Sequence, residues 1–248
     1  MDTIYILWHR QVIKYFRSKS RIIGSLAQPL LFLIAFGFGF GGIYQKAGEG
    51  NYMQFLAPGI ITMSVLFTAI FSGIDIIWDR QFGFLKETLV APVSRLEIIL
   101  GKVFGGATVA SIQGIIVFVL TLLVGFRPQN LLSLPLALIF IFLIAILFTC
   151  MGTIIASLMD DMQGFQLIMN FLIMPIMFLS GAFFPLNGLP KAIEIITKID
   201  PLTYGVDGLR GALISVSQFS LGTNILVLSI ISITLLLIGA KLFDKIKA

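Results

Sequence analysis

The sequence predicts an all-α membrane protein with six transmembrane helices, and two observations carry that prediction. Of its 248 residues, 58% are hydrophobic and only 12% are charged, with a mean hydropathy of +1.02. A soluble domain cannot hide that much apolar surface. The charges are also clustered, which leaves uncharged runs at 22–45, 50–74, 103–126, 128–159, 162–190 and 211–240. Each run exceeds the roughly 20 residues that cross a hydrocarbon core as a helix. The alternation expected of a membrane β-barrel is not seen.

Residues 2–21 precede the first run. At helical spacing Arg10, Lys14, Arg17 and Arg21 share one face, and Ile4, Trp8, Val12 and Tyr15 lie opposite. This predicts an amphipathic helix in the membrane interface, with Trp8 and Tyr15 at headgroup depth and His9 solvated. The first span covers about 22–43 and contains Gln28-Pro29. Its end, FGFGFGG at 36–42, places Gly37 and Gly41 in a GxxxG spacing. That spacing suits either close helix contact or a frayed helix end. The second span covers about 58–77, and Asp75 is expected to be its wetted end.

Residues 78–102, WDRQFGFLKETLVAPVSRLEIILGK, mix charges of both signs. They are expected to form two short helices lying on the membrane surface. Pro92 ends the first, and Ser94 with Glu97 is a capping box that starts the second. The third and fourth spans follow at about 105–125 and 134–157. A turn with Asp160 and Asp161 leads to the fifth, about 164–180, in which Asn170 is expected to bond across helices and Pro175 to kink the chain. Residues 181–220 hold three prolines before position 202 and a short helical pattern at 190–199, and are too apolar for a solvated loop. Re-entrant or interfacial helices are expected there, since irregular backbone at that depth must be buried in protein or line a wet cavity. The sixth span is about 222–240. The whole chain, 1–248, forms a single transmembrane domain.

Six crossings put both termini on one side of the membrane. The N-terminal segment, residues 78–102 and the C-terminal tail carry twelve Lys and Arg, against five on the other side. Both termini are therefore expected to be cytoplasmic. That bias also explains the net charge of +5 without a nucleic-acid partner. Cys150, alone in an apolar run, is expected to be a small buried hydrophobe. There is no GxxxxGK[ST], HExxH or paired-cysteine motif, and one histidine cannot build a multi-histidine metal site. With almost no ionisable side chains in the spans, a self-contained ion-coupled carrier is disfavoured. Any energy input should come through the charged 78–102 segment.

Three stretches resemble the ABC-2 type permeases, the membrane subunits of ABC exporters such as the daunorubicin-resistance and nodulation-factor transporters. They are LAPGI at 56–60, DRQFGFLKETLVAPVSRLEIILGK at 79–102, and LSGAFFPLNGLP at 179–190 with DPLTYGVDGLR at 200–210. Gln81 departs from the family's usual Glu. The resemblance implies a non-enzymatic permease subunit that works as a homodimer or heterodimer on a separate ABC ATPase subunit, in the cytoplasmic membrane. ATP and Mg would be bound by that ATPase, with no cofactor in this chain. It would export an amphipathic drug, lipid or glycan-type molecule. By the same resemblance Arg80, Lys86, Glu87, Ser94, Arg95 and Glu97 would serve ATPase coupling. Gly37, Gly41, Asn170, Phe183, Phe184 and Tyr204 would line or gate the path. A membrane scaffold that transmits force from an ATPase without moving a substrate is the alternative.

Overall fold

The computed structural model describes residues 2–46, 51–90, 92–129, 131–186, 188 and 190–243. Among these the order is α1 (Asp2–Arg17), α2 (Lys19–Lys46), α3 (Tyr52–Phe71), α4 (Ile74–Gln81), α5 (Phe84–Val90), α6 (Arg95–Val124), α7 (Leu134–Ser157), α8 (Met162–Leu179), α9 (Lys191–Ile199), α10 (Pro201–Ile214) and α11 (Leu221–Phe243). A single 3₁₀ turn, Leu131–Ser133, precedes α7. No strand occurs among the described residues. Six helical stretches are long and apolar enough to cross a membrane: α2, α3 with α4, α6, α7, α8 and α11. The all-α, six-span architecture is therefore as the sequence predicts.

The helix from α3 into α4 is the central pillar. In its apolar stretch 78% of residues are buried, against 17% in α2 and α11 and 22% in α8. The peripheral helices thus keep most of their apolar surface for something outside the chain. Between α3 and α4 the helix breaks at Ser72–Gly73, where it crosses α7 backbone to backbone. A Cβ on Gly73 would lie 2.4 Å from the Gly152 carbonyl oxygen, and one on Gly152 would lie 2.3 Å from that of Ile70. Only glycine allows that approach. Cys150, two residues before Gly152 on α7, is buried and in no disulfide.

The 78–102 segment differs from expectation in its second half. The capping box forms: the Glu97 N–H donates to Ser94 Oγ at 3.2 Å, and the Ser94 N–H donates to the Glu97 carboxylate at 3.0 Å. The helix it opens is not a separate surface piece, however, because α6 runs unbroken to Val124. Nothing in 95–124 breaks a helix, so the cap starts the third span itself. Gly125, at φ +115°, then closes α6 in a left-handed cap.

The amphipathic helix α1 ends at Arg17, and its inner face is not the lipid-facing one expected. Leu7, Gln11 and Tyr15 pack on α6, where Gly101 and Gly105 leave room for Leu7 and Gln11. Trp8 Nε1 donates to Thr108 Oγ1 at 3.0 Å, and the Tyr15 hydroxyl donates to Gln113 Oε1 at 2.5 Å. Both aromatic side chains therefore hydrogen-bond to α6. Tyr5 and Phe16 are the exposed aromatics of α1.

At the far end of the bundle from α1, α10 reaches inward. Gly208 packs on Phe140 and Gly205 on Ile144, which lies near the middle of α7. A helix that enters from one end and turns at mid-bundle is re-entrant, as the composition of 181–220 suggested.

Candidate functional site

The basic end, where α1, α4, α5 and the start of α6 meet, is tied together by charges. Arg10 grips Asp79 with both guanidinium nitrogens, at 2.7 and 3.1 Å, and stacks 3.8 Å over the Phe84 ring of α5. Lys102 of α6, buried with Asp79, donates to the same carboxylate. Lys14 donates to Asp75. Asp75 and Asp79 lie four residues apart and so share one face of α4, which is turned to α1. Asp75 is only 3% exposed. It is an inter-helix partner rather than the wetted helix end expected.

Arg80 points the other way from that face. Its guanidinium donates to the carbonyls of Ser157 (2.8 Å) and Met159 (3.0 Å) and to Asp160 (2.6 Å). It thereby caps the last turn of α7, whose carbonyls have no intrahelical donors. Glu87 on α5 is exposed, and the side chain of Lys86 lies outside the described residues. Arg95 is half-buried, with one guanidinium nitrogen buried and unpartnered. Phe82 (72% exposed) and Val90 (81%) stand out beside them, and Trp78 stacks on Phe82 at 5.2 Å. The basic end therefore presents a mixed apolar and charged surface centred on α5.

A cavity of about 350 Å³ opens between α2, α3, α8 and the tip of α1. Ser25, Gln28, Ser64, Thr68 and Asn170 give it a polar wall, and Pro29, Met63, Phe67, Phe71 and Met174 an apolar one. Arg21 and Tyr15 stand at the α1 side. The size suits a small organic ligand. Asn170 is not the buried cross-helix bond expected: it is exposed and makes no hydrogen bond among the described residues. The cause is the sparse packing of α8, which buries only the stripe Phe165, Met169, Ile173 and Met177. Asn170 lies off that stripe, facing the cavity. Arg21, Ser25 and Gln28, spaced four and three on one face of α2, are the signal by which the sequence could have pointed here.

The far end is closed by aromatics. Phe32, Phe36 and Phe178 surround buried Phe183 at centroid distances of 5.6–5.8 Å, and the Tyr52 hydroxyl donates to the Phe183 carbonyl at 2.9 Å. Phe184 is half exposed beside a smaller apolar pocket. Gly37 packs on Met53 of α3, so at this position the spacing at 37–41 makes close contact. Gly41 meets nothing within 4 Å, yet α2 continues helical to Lys46. Tyr204 donates from its hydroxyl to the Lys198 carbonyl at 2.8 Å and stacks on Phe219, away from the aromatic cluster.

Two buried charges here, Asp207 and Arg210, have no sign in a count of charges by membrane side. Asp207 accepts from the N–H groups of Gln218 (2.6 Å) and Phe219 (3.0 Å) and from Asn224 Nδ2 (2.9 Å). Arg210 donates to the Gly181 carbonyl at 2.9 Å and lies 3.9 Å over the Phe55 ring. Burial lowers the Arg210 pKa to about 10, which leaves it cationic at neutral pH. Asp200 caps α10 through the Leu202 N–H at 2.9 Å, and burial pushes its carboxyl up to about 7.

A family model described as ABC-2 type transporter matches residues 2–214. Similar proteins include the "Putative transport permease ycf38" of Cyanophora paradoxa, 31% identical over 99% of this chain and 89% of its own length. Nodulation protein J of Rhizobium leguminosarum bv. trifolii is 30% identical over 82% of this chain and 78% of its own. The inner membrane transport permease YadH of Escherichia coli is 26% identical over 96% and 93%.

Proposed function

Because the chain belongs to the ABC-2 type transporter family, we propose that it is the membrane-spanning permease subunit of an ATP-driven exporter, working as a dimer on a separate ATPase. Its relatives' names, transport permease and nodulation protein J, support transport over a purely structural role. The observation that carries the coupling is the exposed helix α5 wired into the bundle. Phe84 of α5 lies under Arg10 of α1, Arg10 holds Asp79 of α4, and Asp79 holds Lys102 of α6. A push on α5 from the cytoplasmic side is thereby passed to three further helices at once. Glu87, Arg95 and the Trp78–Phe82 pair would form the docking face. Ser94 and Glu97 would fix the start of α6, and Arg80 would brace α4 on α7.

The cavity between α2, α3 and α8 is the part of the path this chain contributes, and the Phe183 cluster is its closed outer gate. The mostly exposed faces of α2, α8 and α11 are available to the second permease and to lipid. A drug, lipid or glycan-linked amphiphile suits a path with both polar and apolar walls.

Glu87 gives the cleaner test, because Arg80 also holds α7. The chain is purified from its native membrane and the ATPase activity that accompanies it is assayed. Glu87→Lys is expected to lower substrate-stimulated turnover at least fivefold with an unchanged melting temperature. Full turnover in that variant, or a chain that purifies with no ATPase, would defeat the docking assignment.

A further inference from the structure

The cations of the basic end are not equivalent, and Arg21 is the one that lines the cavity. Arg10, Lys14, Arg80 and Lys102 each meet a carboxylate. Arg21, half-buried at the start of α2, forms no ion pair among the described residues. No Asp or Glu lines the cavity beside it. A second group there is also unsatisfied: the Ser64 hydroxyl lines the same cavity, is 2% exposed and has no hydrogen-bond partner. A half-buried cation at the membrane end of a span is completed by water, a lipid headgroup or a ligand.

We propose that this cavity takes an anionic amphiphile, whose phosphate or carboxylate headgroup is held by Arg21. This rests on the reading that the cavity belongs to the translocation path, and it names the class of molecule admitted there. A guanidinium presents a planar fork of donors that matches either headgroup in two parallel hydrogen bonds. Ser25 and Gln28, one and two turns further along the same face of α2, continue the polar wall toward Ser64 and Asn170. The polar part of the ligand runs along that wall, and its hydrocarbon lies against Met63, Phe67 and Met174. With no carboxylate lining it, the cavity has nothing to neutralise a cationic amphiphile, and Arg21 repels one.

The full chain in nanodiscs of phosphatidylcholine provides the test, with fluorescent oleoyl lysophosphatidate, lysophosphatidylcholine and oleylamine as probes. Wild type is expected to bind lysophosphatidate at least tenfold more tightly than either other probe. Arg21→Gln should lose about tenfold for lysophosphatidate alone, as expected for one charge-assisted pair, and Arg21→Lys should restore part of it. Lys19→Gln, outside the cavity, should change nothing. Equal binding of the three probes, or an equal loss in Lys19→Gln, overturns the anionic assignment and leaves the cavity as a path. Binding of none of them overturns both.

Discussion

The two ends of the bundle satisfy their buried charges in opposite ways. At the basic end, carboxylate meets cation across helices: Asp75 with Lys14, and Asp79 with Arg10 and Lys102. At the far end Asp207 and Arg210 sit one turn apart on α10, yet no ion pair joins them. Asp207 turns to the backbone N–H groups of Gln218 and Phe219, and Arg210 to the carbonyl of Gly181. The difference lies in the backbone. Around Asp79 it is helical and bonded to itself, so the side chains have only each other. Residues 180–186 and 215–220 are irregular, so their peptide groups lack helical partners and take side-chain ones instead. Asp75 and Asp79 act as fasteners between helices at one end, and Asp207 and Arg210 as replacement backbone partners at the other.

That contrast is tested most severely at Asp79. Asp79→Ala leaves Lys102 buried without its counter-charge and should cost about 3–5 kcal/mol, read as a large fall in melting temperature and release of α1 in hydrogen exchange. Replacing Asp79 and Lys102 together by Leu should recover most of that loss. An equal loss in the pair would mean that shape, not charge, holds the seam. Next in size is Asp207→Ala, expected at about 1–3 kcal/mol because the buried Asn224 amide and two backbone N–H groups lose their acceptor. Exchange should quicken at Gln218 and Phe219 and stay unchanged in α1; a rise in α1 would break the separation of the two ends.

A smaller effect is expected at Asp200, where burial raises the carboxyl to about 7 from an ordinary value near 3.8. The folded state then holds a proton that the unfolded chain releases. Stability from this group is full below about pH 4 and is lost as pH rises through 7. Asp200→Asn keeps the cap on Leu202 and should flatten the melting temperature between pH 4 and 7; a persisting slope would assign it elsewhere. The smallest change belongs to Asp160→Asn, below about 1 kcal/mol because that carboxylate is 93% exposed. Arg80→Gln, which also loses the carbonyls of Ser157 and Met159, should cost more.

Much of the architecture was legible because membrane spans are written in composition. Six uncharged runs gave six spans, the fourth to the residue, and Ser94 with Glu97 gave the start of α6. What could not be seen was pairing. Asp75 looked like a wetted end because its partner, Lys14, lies on another helix sixty-one positions away. The close α1–α6 contact had only an indirect sign in Gly101 and Gly105, small residues that a neighbour uses to approach. The burial of Arg210 has no sequence sign, because charge counts carry no depth. Asn170 was expected in a helix contact that α8, packed along one stripe, does not make.

The chain has two tryptophans, and both lie at the basic end. Trp8 is hydrogen-bonded to Thr108 in the α1–α6 seam, while Trp78 is half exposed, stacked on Phe82. Intrinsic ultraviolet emission therefore reports on that end alone and is silent for the aromatic closure at the other. Trp8 should emit in the blue as long as the seam holds, and Trp78 further to the red until something covers it. With Trp78→Phe or Trp8→Phe, the unlabelled protein yields two separate optical channels: one for seam opening and one for whatever settles on α5.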